Sequence, residues 1–305
     1  MTATPVGIGV DVGGTKIVLG VVHDDHSCSR LTRIETARRD PAWVVAAVTG
    51  YARELEWSLP VGVGAAGAAD PEGAVHFGSF IAWNGFPLRA VLEAELGVPV
   101  FVQNDVTVAA WGEYLLDPRR RSVAVIAAGT GVGGGAVSDG VLLTGAGAAM
   151  EIGHLPVSLG ESLCACGRRG CLESIASGTS VARRYAERTP DRATTRPLSS
   201  TDVVAAARNG DEVARAILAE AGAAIGEAAA LIASVIDPER VVLSGGLIRG
   251  GGPEILAAAR AAFARQVRVP NDRGVPIIEL STAEQDPIVI GAGMLAAARN
   301  PERAG

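Results

Sequence analysis

The chain has 305 residues, a formal net charge of −6, 48% hydrophobic and 20% charged residues. That length suggests two domains able to bury cores without disulfides, and the composition excludes a disordered chain. No dense basic patch is present, which excludes nucleic acid as a principal partner. Glycine is overused, with 39 residues, close to twice the usual share of ~7%. This fold needs backbone without side chains at many points. Of the 27 basic residues, Lys16 is the single lysine. Residues 1–5 carry no basic leader, so no signal peptide is expected and the cytoplasm is the expected compartment. There, cysteines serve as thiols or metal ligands rather than disulfides.

In chain order, residues 6–12 alternate apolar with small or polar residues. Gly13-Gly14 breaks the run and residues 17–23 resume it, which reads as a hairpin with a glycine turn. A third strand is expected over 29–37, then a helix over 41–57 carrying Trp43, Ala47, Val48, Tyr51, Ala52 and Leu55 as its apolar stripe. Strands follow at 61–67 and 74–77, a helix at 87–96, a strand at 98–102 and a helix at 106–116. The pattern then restarts with strands at 121–128, 133–138 and 141–144. Helices are expected at 199–209 and 211–236, a strand at 240–244, a helix at 253–266, a strand at 276–280 and a helix at 287–299. The apolar stretch 216–236 is broken by Glu220 and Glu227, so it is no membrane span. Residues 189–200 read as a surface loop. Two units in series, each opening on a hairpin, suggest a duplicated α/β architecture with a cleft between the halves and a hinge at 117–121.

Three glycine loops punctuate this order. Asp11-Val12-Gly13-Gly14-Thr15-Lys16 places an acid at a strand end, then two glycines, a hydroxyl and the lysine. Backbone N–H groups there can approach phosphate oxygens, with Lys16 adding charge and Asp11 holding Mg²⁺ through water. A tight hairpin turn explains the same residues. Gly129-Thr130-Gly131-Val132-Gly133-Gly134-Gly135 opens the second hairpin at the matching position. Ser244-Gly245-Gly246 follows a later strand, where backbone can pass close to a base or ribose. Asn104-Asp105 joins a strand to a helix, which suits either an N-cap or a general base at a strand's carboxyl end.

Glu151-Ile152-Gly153-His154 precedes Cys164-Ala165-Cys166-Gly167-Arg168-Arg169-Gly170-Cys171-Leu172-Glu173. One imidazole and three thiolates make a closed tetrahedral set of the structural zinc type, and the glycines let a short loop wrap the metal. Reduced thiols packed as small hydrophobes are the alternative. Cys28 stands alone as a buried thiol. His23, His26 and His76 show no partner pattern.

Taken together, these motifs resemble the ROK family of bacterial sugar kinases and related repressors, within the actin-like ATPase superfamily. The resemblance covers nearly the whole chain. It implies two actin-like (ribonuclease H-like) α/β domains with a cleft between them. Residues 1–118 would form the smaller domain, with the first phosphate loop and the catalytic aspartate, rejoined by the C-terminal helix 287–305. Residues 119–286 would form the larger one, with the second phosphate loop, the zinc site and the adenosine loop. Asp11, Gly13, Gly14, Thr15 and Lys16 match the first phosphate motif, Thr130 and Gly131 the second, and Gly245 and Gly246 the adenosine motif. The segment 63–75, with Gly67, also looks like a family segment, although Ala66 stands where proline is common. Asp105 becomes the catalytic base, with Gly67, Asn84, Asn104, Glu151, His154 and Glu173 on the sugar. His154, Cys164, Cys166 and Cys171 become the zinc ligands. His154 would serve twice, one nitrogen on the metal and one toward a sugar hydroxyl.

The implied activity is transfer of the ATP γ-phosphate to a hexose, with Mg²⁺ and a structural Zn²⁺. Glucose suits the sugar-site residues best, phosphorylated at O6. Kinases for N-acetylmannosamine, N-acetylglucosamine, fructose or allose are the alternatives, and polyphosphate replaces ATP in related enzymes. A sugar-sensing regulator without catalysis is a further reading. Family repressors carry a DNA-binding region before the first loop, for which the ten residues before Asp11 leave no room. No nucleic acid or membrane partner is expected, and the family suggests a homo-oligomer, dimer or tetramer.

Overall fold

The first strand alternates branched side chains with glycine over residues 6–10. The computed structural model describes residues 3–36, 40–55, 58–78, 81–117, 121–158, 161–192, 196–268 and 274–299. Strands β1 (Pro5–Val12) and β2 (Lys16–His23) pair antiparallel, and β3 (Cys28–Glu35) pairs with β2. After helix α1 (Pro41–Glu54), strand β4 (Val61–Ala65) pairs parallel with β1. Helix α2 (Leu88–Leu96) leads into β5 (Val100–Asn104), parallel to β4, and α3 (Asp105–Leu116) follows directly. The sheet order is β3-β2-β1-β4-β5.

Ile8, Val10 and Val12 of β1 and Val61 and Val63 of β4 point to one face. There they pack with Val44, Val48 and Tyr51 of α1 and Leu88 and Leu92 of α2. The alternate positions Gly7, Gly9, Gly62 and Gly64 face the last helix, α10 (Pro287–Ala298). A Cβ on Gly9 would overlap the Val289 carbonyl, and one on Gly62 the Ala292 carbonyl. Helix backbone therefore lies directly on sheet backbone. Much of the glycine excess is spent on this seam.

The second half contains β6 (Val123–Ala128), β7 (Val132–Ser138) and β8 (Val141–Leu142). Next come α4 (Glu173–Ala176), α5 (Gly178–Arg188), α6 (Ser200–Arg208) and α7 (Glu212–Ile236). Strand β9 (Arg240–Ser244), helices α8 (Gly246–Gly250) and α9 (Gly252–Gln266) and strand β10 (Ile277–Leu280) complete it. The second sheet runs β10-β9-β6-β7-β8, with β9 parallel to both β6 and β10. Both sheets are five-stranded and mixed, an α/β architecture. Contacts divide the chain into one unit of Met1–Arg121, Gly135–Met150 and Ala283–Gly305, and another of Ser122–Gly134 and Glu151–Thr282. Helix α7 is long and apolar enough to cross a membrane, but 67% of its most apolar stretch is buried inside the protein.

Several expected elements change. The strand expected at 74–77 reduces to isolated bridges of Val75 with Ala69 and Phe86. It is held short between a turn at Asp70, whose Oδ1 accepts from Ala74 N at 2.9 Å, and the turn at Asn84-Gly85. The third strand of the second hairpin stops at Leu142. Helix α5 was not expected, because it opens on Gly-Thr-Ser and its exposed face is polar. Its signals are the Ser177 cap, accepting from Ser180 N, and buried Val181, Ala182 and Tyr185. The hinge residues 118–120, and the ends of the expected elements at 37, 56–57 and 300–305, lie outside the described residues.

The seam under α10 makes a direct prediction. Gly9→Ala should destabilise the protein by about 3 kcal/mol, the upper end of ordinary overpacking, because backbone rather than a pliable side chain must move. Urea denaturation of the variant against the parent chain measures it.

Candidate active site and metal centre

Parallel pairing places functional loops side by side. In the first unit Val12 pairs with Ala65, and Ala65 with Asn104, so β1, β4 and β5 end at the same edge of the sheet. That edge carries the loop after β1, Gly67 and the Asn104-Asp105 junction. In the first loop Gly13 N donates to Lys16 O at 3.0 Å, closing the turn. Thr36, just past β3, ties it, its N–H donating to Thr15 O at 2.9 Å and its hydroxyl to Gly13 O at 3.3 Å. Among the described residues, the Gly14 and Thr15 N–H groups have no protein acceptor. Buried Asp11 lies one residue before the strand end, paired across the sheet with Gly64.

The cap reading of the Asn104-Asp105 junction holds for Asn104. Its Oδ1 caps α3, accepting from Thr107 N at 3.0 Å, while its Nδ2 donates to Gly67 O at 3.3 Å. One amide hydrogen remains for a ligand. Asp105 is the first residue of the helix, and its Oδ1 accepts from Val106 N at 2.9 Å. A Cβ on Gly64 would stand 3.3 Å from Asp105 Cα, so this glycine also lets α3 begin close to the sheet. Asn84 and Gly85 both take left-handed backbone, with φ 48° and 75°. Phe86 N donates to Trp83 O at 2.8 Å, which makes the two central residues a type I′ turn. Buried Trp83 anchors it through Nε1–H to Ala66 O at 3.2 Å.

In the second unit Ala127 pairs with Ser244, so the loops after β6 and β9 emerge together. Gly245 has φ 98°, and a Cβ there would strike the Ala128 carbonyl. Gly131 lies under Glu173, whose Oε2 accepts from Val132 N at 3.0 Å. Sequence reasoning gave no role to Gly178 and Thr179, which also bind this loop.

The His/Cys segment folds into a small looped hairpin. Cys164 N donates to Arg168 O at 2.8 Å and Val157 N to Gly170 O at 2.9 Å. Gly167 and Gly170 turn it with φ 86° and 81°. Nitrogen and sulfur atoms of His154, Cys164, Cys166 and Cys171 all lie within 4.8 Å of one another. Cys166 Sγ and Cys171 Sγ are 3.7 Å apart, and Cys164 Sγ and His154 Nδ1 3.8 Å. Sulfurs about 2.3 Å from a tetrahedral zinc stand about 3.8 Å apart, so the donor set fits a closed zinc site. Backbone N–H donation at Arg168 draws the Cys166 thiol down to about 6, whereas burial pushes Cys171 up to about 12. Cys28 is half-buried and pushed up to about 11 by burial. Outside these sites, His76 Nε2 sits 2.6 Å from Asp70 Oδ2 and His23 Nε2 2.7 Å from Ser29 Oγ.

The ROK family model matches residues 7–299. The chain belongs to the ROK family. Within it the chain is glucokinase-like. It is 34% identical over 312 residues to the glucokinase of Streptomyces coelicolor, covering 96% of this chain and 98% of that one. An N-acetylmannosamine kinase of Vibrio cholerae is 32% identical over 248 residues, covering 79% and 83%. Among solved structures, a ROK glucokinase of Streptomyces griseus in complex with glucose and AMPPNP superposes with a TM-score of 0.83 at 32% identity. That match covers 96% of this chain and 99% of the other. The two mixed sheets are thus those of the two-domain, actin-like ROK fold.

Burial raises the pKa of Glu151, outweighing the opposing pull of His154, while Glu173 adds to the rise. The folded state thus favours the protonated carboxyl, and stability is lost as pH rises through the raised value. Glu151→Gln should therefore raise the melting temperature at pH 7–8 and leave it unchanged at pH 4. Thermal melts across pH check the sign.

Proposed function

We propose that this chain is an ATP-dependent hexose kinase that phosphorylates glucose at O6, with Asp105 as general base. The observation that carries the reading is the placement of Asp105. It starts α3 at the carboxyl end of β5, beside Asn104, on the same sheet edge as the first glycine loop. The likeness to a ROK glucokinase solved with glucose and AMPPNP supports it. Asp105 accepts the hydroxyl proton while the sugar oxygen forms a bond to the γ-phosphorus and the bond to the ADP oxygen breaks. Asn104, Asn84, Gly67, Glu151, His154 and Glu173 orient the sugar. The Gly14 and Thr15 N–H groups, Lys16, and the loops at Thr130-Gly131 and Gly245-Gly246 hold the nucleotide. Asp11 would hold through water the Mg²⁺ that accompanies ATP, which would neutralise phosphate charge.

His154, Cys164, Cys166 and Cys171 hold a structural zinc. Four protein ligands leave no position for a reacting water. Its role is to fix the loop between Glu151 and Glu173, the acids at its two ends. The match to N-acetylmannosamine kinases at 32% identity keeps that amino sugar as the second candidate substrate. A coupled ATP-consumption screen across hexoses and amino sugars decides: no turnover with any sugar overturns the kinase reading, and turnover with N-acetylmannosamine alone overturns glucose.

Asp105→Asn should lower kcat 10²–10⁴-fold, the usual worth of general base catalysis, while glucose binding persists. Steady-state kinetics with calorimetric glucose titration read both quantities. Lys16→Ala should weaken ATP binding moderately and spare glucose affinity, since the backbone donors remain. For the metal, elemental analysis should find one zinc per chain. Cys166→Ser should lose it, and acidification should release it as protons compete for the thiolates.

A further inference from the structure

We propose that Thr179 is a positioning residue for the nucleotide, and that α5 and Glu173 together brace the second glycine loop. The inference rests on the kinase reading above. Within the loop itself, Gly129 N donates to Gly131 O at 2.9 Å. Among the described residues, its hydrogen bonds to other segments go to 173–179. Gly178 N donates to Gly129 O at 2.7 Å. Thr179 gives Thr130 O two donors, its N–H at 3.4 Å and its hydroxyl at 3.0 Å. Glu173 Oε2 accepts from Val132 N at 3.0 Å, and a Cβ on Gly131 would stand only 2.6 Å from that oxygen.

Peptide planarity turns these contacts into aim. In a trans peptide the C=O and the following N–H point in opposite directions. A bond to Gly129 O therefore sets the direction of the Thr130 N–H. In the same way, the bond from the Thr179 hydroxyl to Thr130 O sets the direction of the Gly131 N–H. Among the described residues, neither N–H has a protein acceptor. Both are donors that a phosphate would take.

The brace is itself held at both ends. Ser174 binds Cys171 O through its N–H at 3.0 Å and its hydroxyl at 2.7 Å, joining α4 to the last sulfur residue of the metal cluster. Helix α5 is clamped to α7, where Glu220 receives both Arg184 and Arg188, and Tyr185 Oη donates to Asp211 Oδ2 at 2.8 Å. Thr179 itself is exposed, so altering it leaves the core untouched.

The test uses Thr179→Val, which keeps the shape and removes the hydroxyl, and Thr179→Ser, which keeps the hydroxyl. Calorimetric titration of the full chain with Mg·ATP, without sugar, should show Thr179→Val binding roughly 3–10-fold more weakly, the loss expected of one neutral hydrogen bond. Thr179→Ser should bind ATP as the parent chain does. In kinetics the ATP KM should rise with the glucose KM unchanged, and the melting temperature should stay near that of the parent. An ATP affinity unchanged in Thr179→Val, an equal loss in Thr179→Ser, or a parallel loss of glucose affinity would each overturn the brace. Failure of the kinase reading looks different: the parent chain binds Mg·ATP but phosphorylates no sugar, and the ATP titrations still decide the brace. A parent chain that binds no Mg·ATP overturns both.

Discussion

Backbone-to-backbone packing of α10 on the glycine face of β1 and β4 is the constraint on which the first unit depends. A helix resting on side chains stands about 10 Å from a sheet; here the missing Cβ atoms of Gly9 and Gly62 let helix carbonyls touch the strands. Gly291 of α10 repeats the device against the Val108 carbonyl of α3. Helices α3 and α10 are thereby drawn together on the sheet, and α3 begins at Asp105 against Gly64. The position of the proposed base is thus a consequence of close packing about one turn along the helix. The opposite face of the same strands does the ordinary work of a core, burying Ile8, Val10, Val12, Val61 and Val63.

The second unit obtains its order in another way. Parallel pairing of β6 with β9 brings two glycine loops to one edge, but loops this poor in side chains have little to hold their shape. Stiffness comes from outside them. The His/Cys cluster closes a small hairpin, α4 leaves it directly, and Glu173 and Thr179 reach the loop after β6. A bound metal would remove freedom from the hairpin before any ligand arrives, and preorganised donors cost less to engage. The partly buried pairing of Arg184 with Glu220 fixes the far end of the same segment.

Much was legible in the sequence because it is local. Glycine alternating with valine or isoleucine marked β1 and β4, and the glycine turns marked their loops. One histidine and three cysteines at short spacing marked the metal cluster, since a closed tetrahedral set needs little more than ligands and flexible turns. The Asn104-Asp105 junction announced a helix start, as residues that cap do so through their own backbone neighbours. Motif order along the chain was enough for the ROK family resemblance.

Other features were settled only by tertiary structure, for a physical reason in each case. Helix α5 carries a cap and good helix formers, but its Gly-Thr-Ser opening reads as loop, and only its contacts with α7 and the glycine loop show where it begins. The strand expected at 74–77 had the right residues but no partner long enough to make a ladder. Asn104 could be read as a cap or a sugar contact, and only the folded chain shows its carbonyl committed to Thr107 with one amide hydrogen left. The purpose of the alternating glycines was equally hidden. Their sequence declares missing side chains, but what fills that space is a helix more than two hundred residues away, and only long-range packing could put it there.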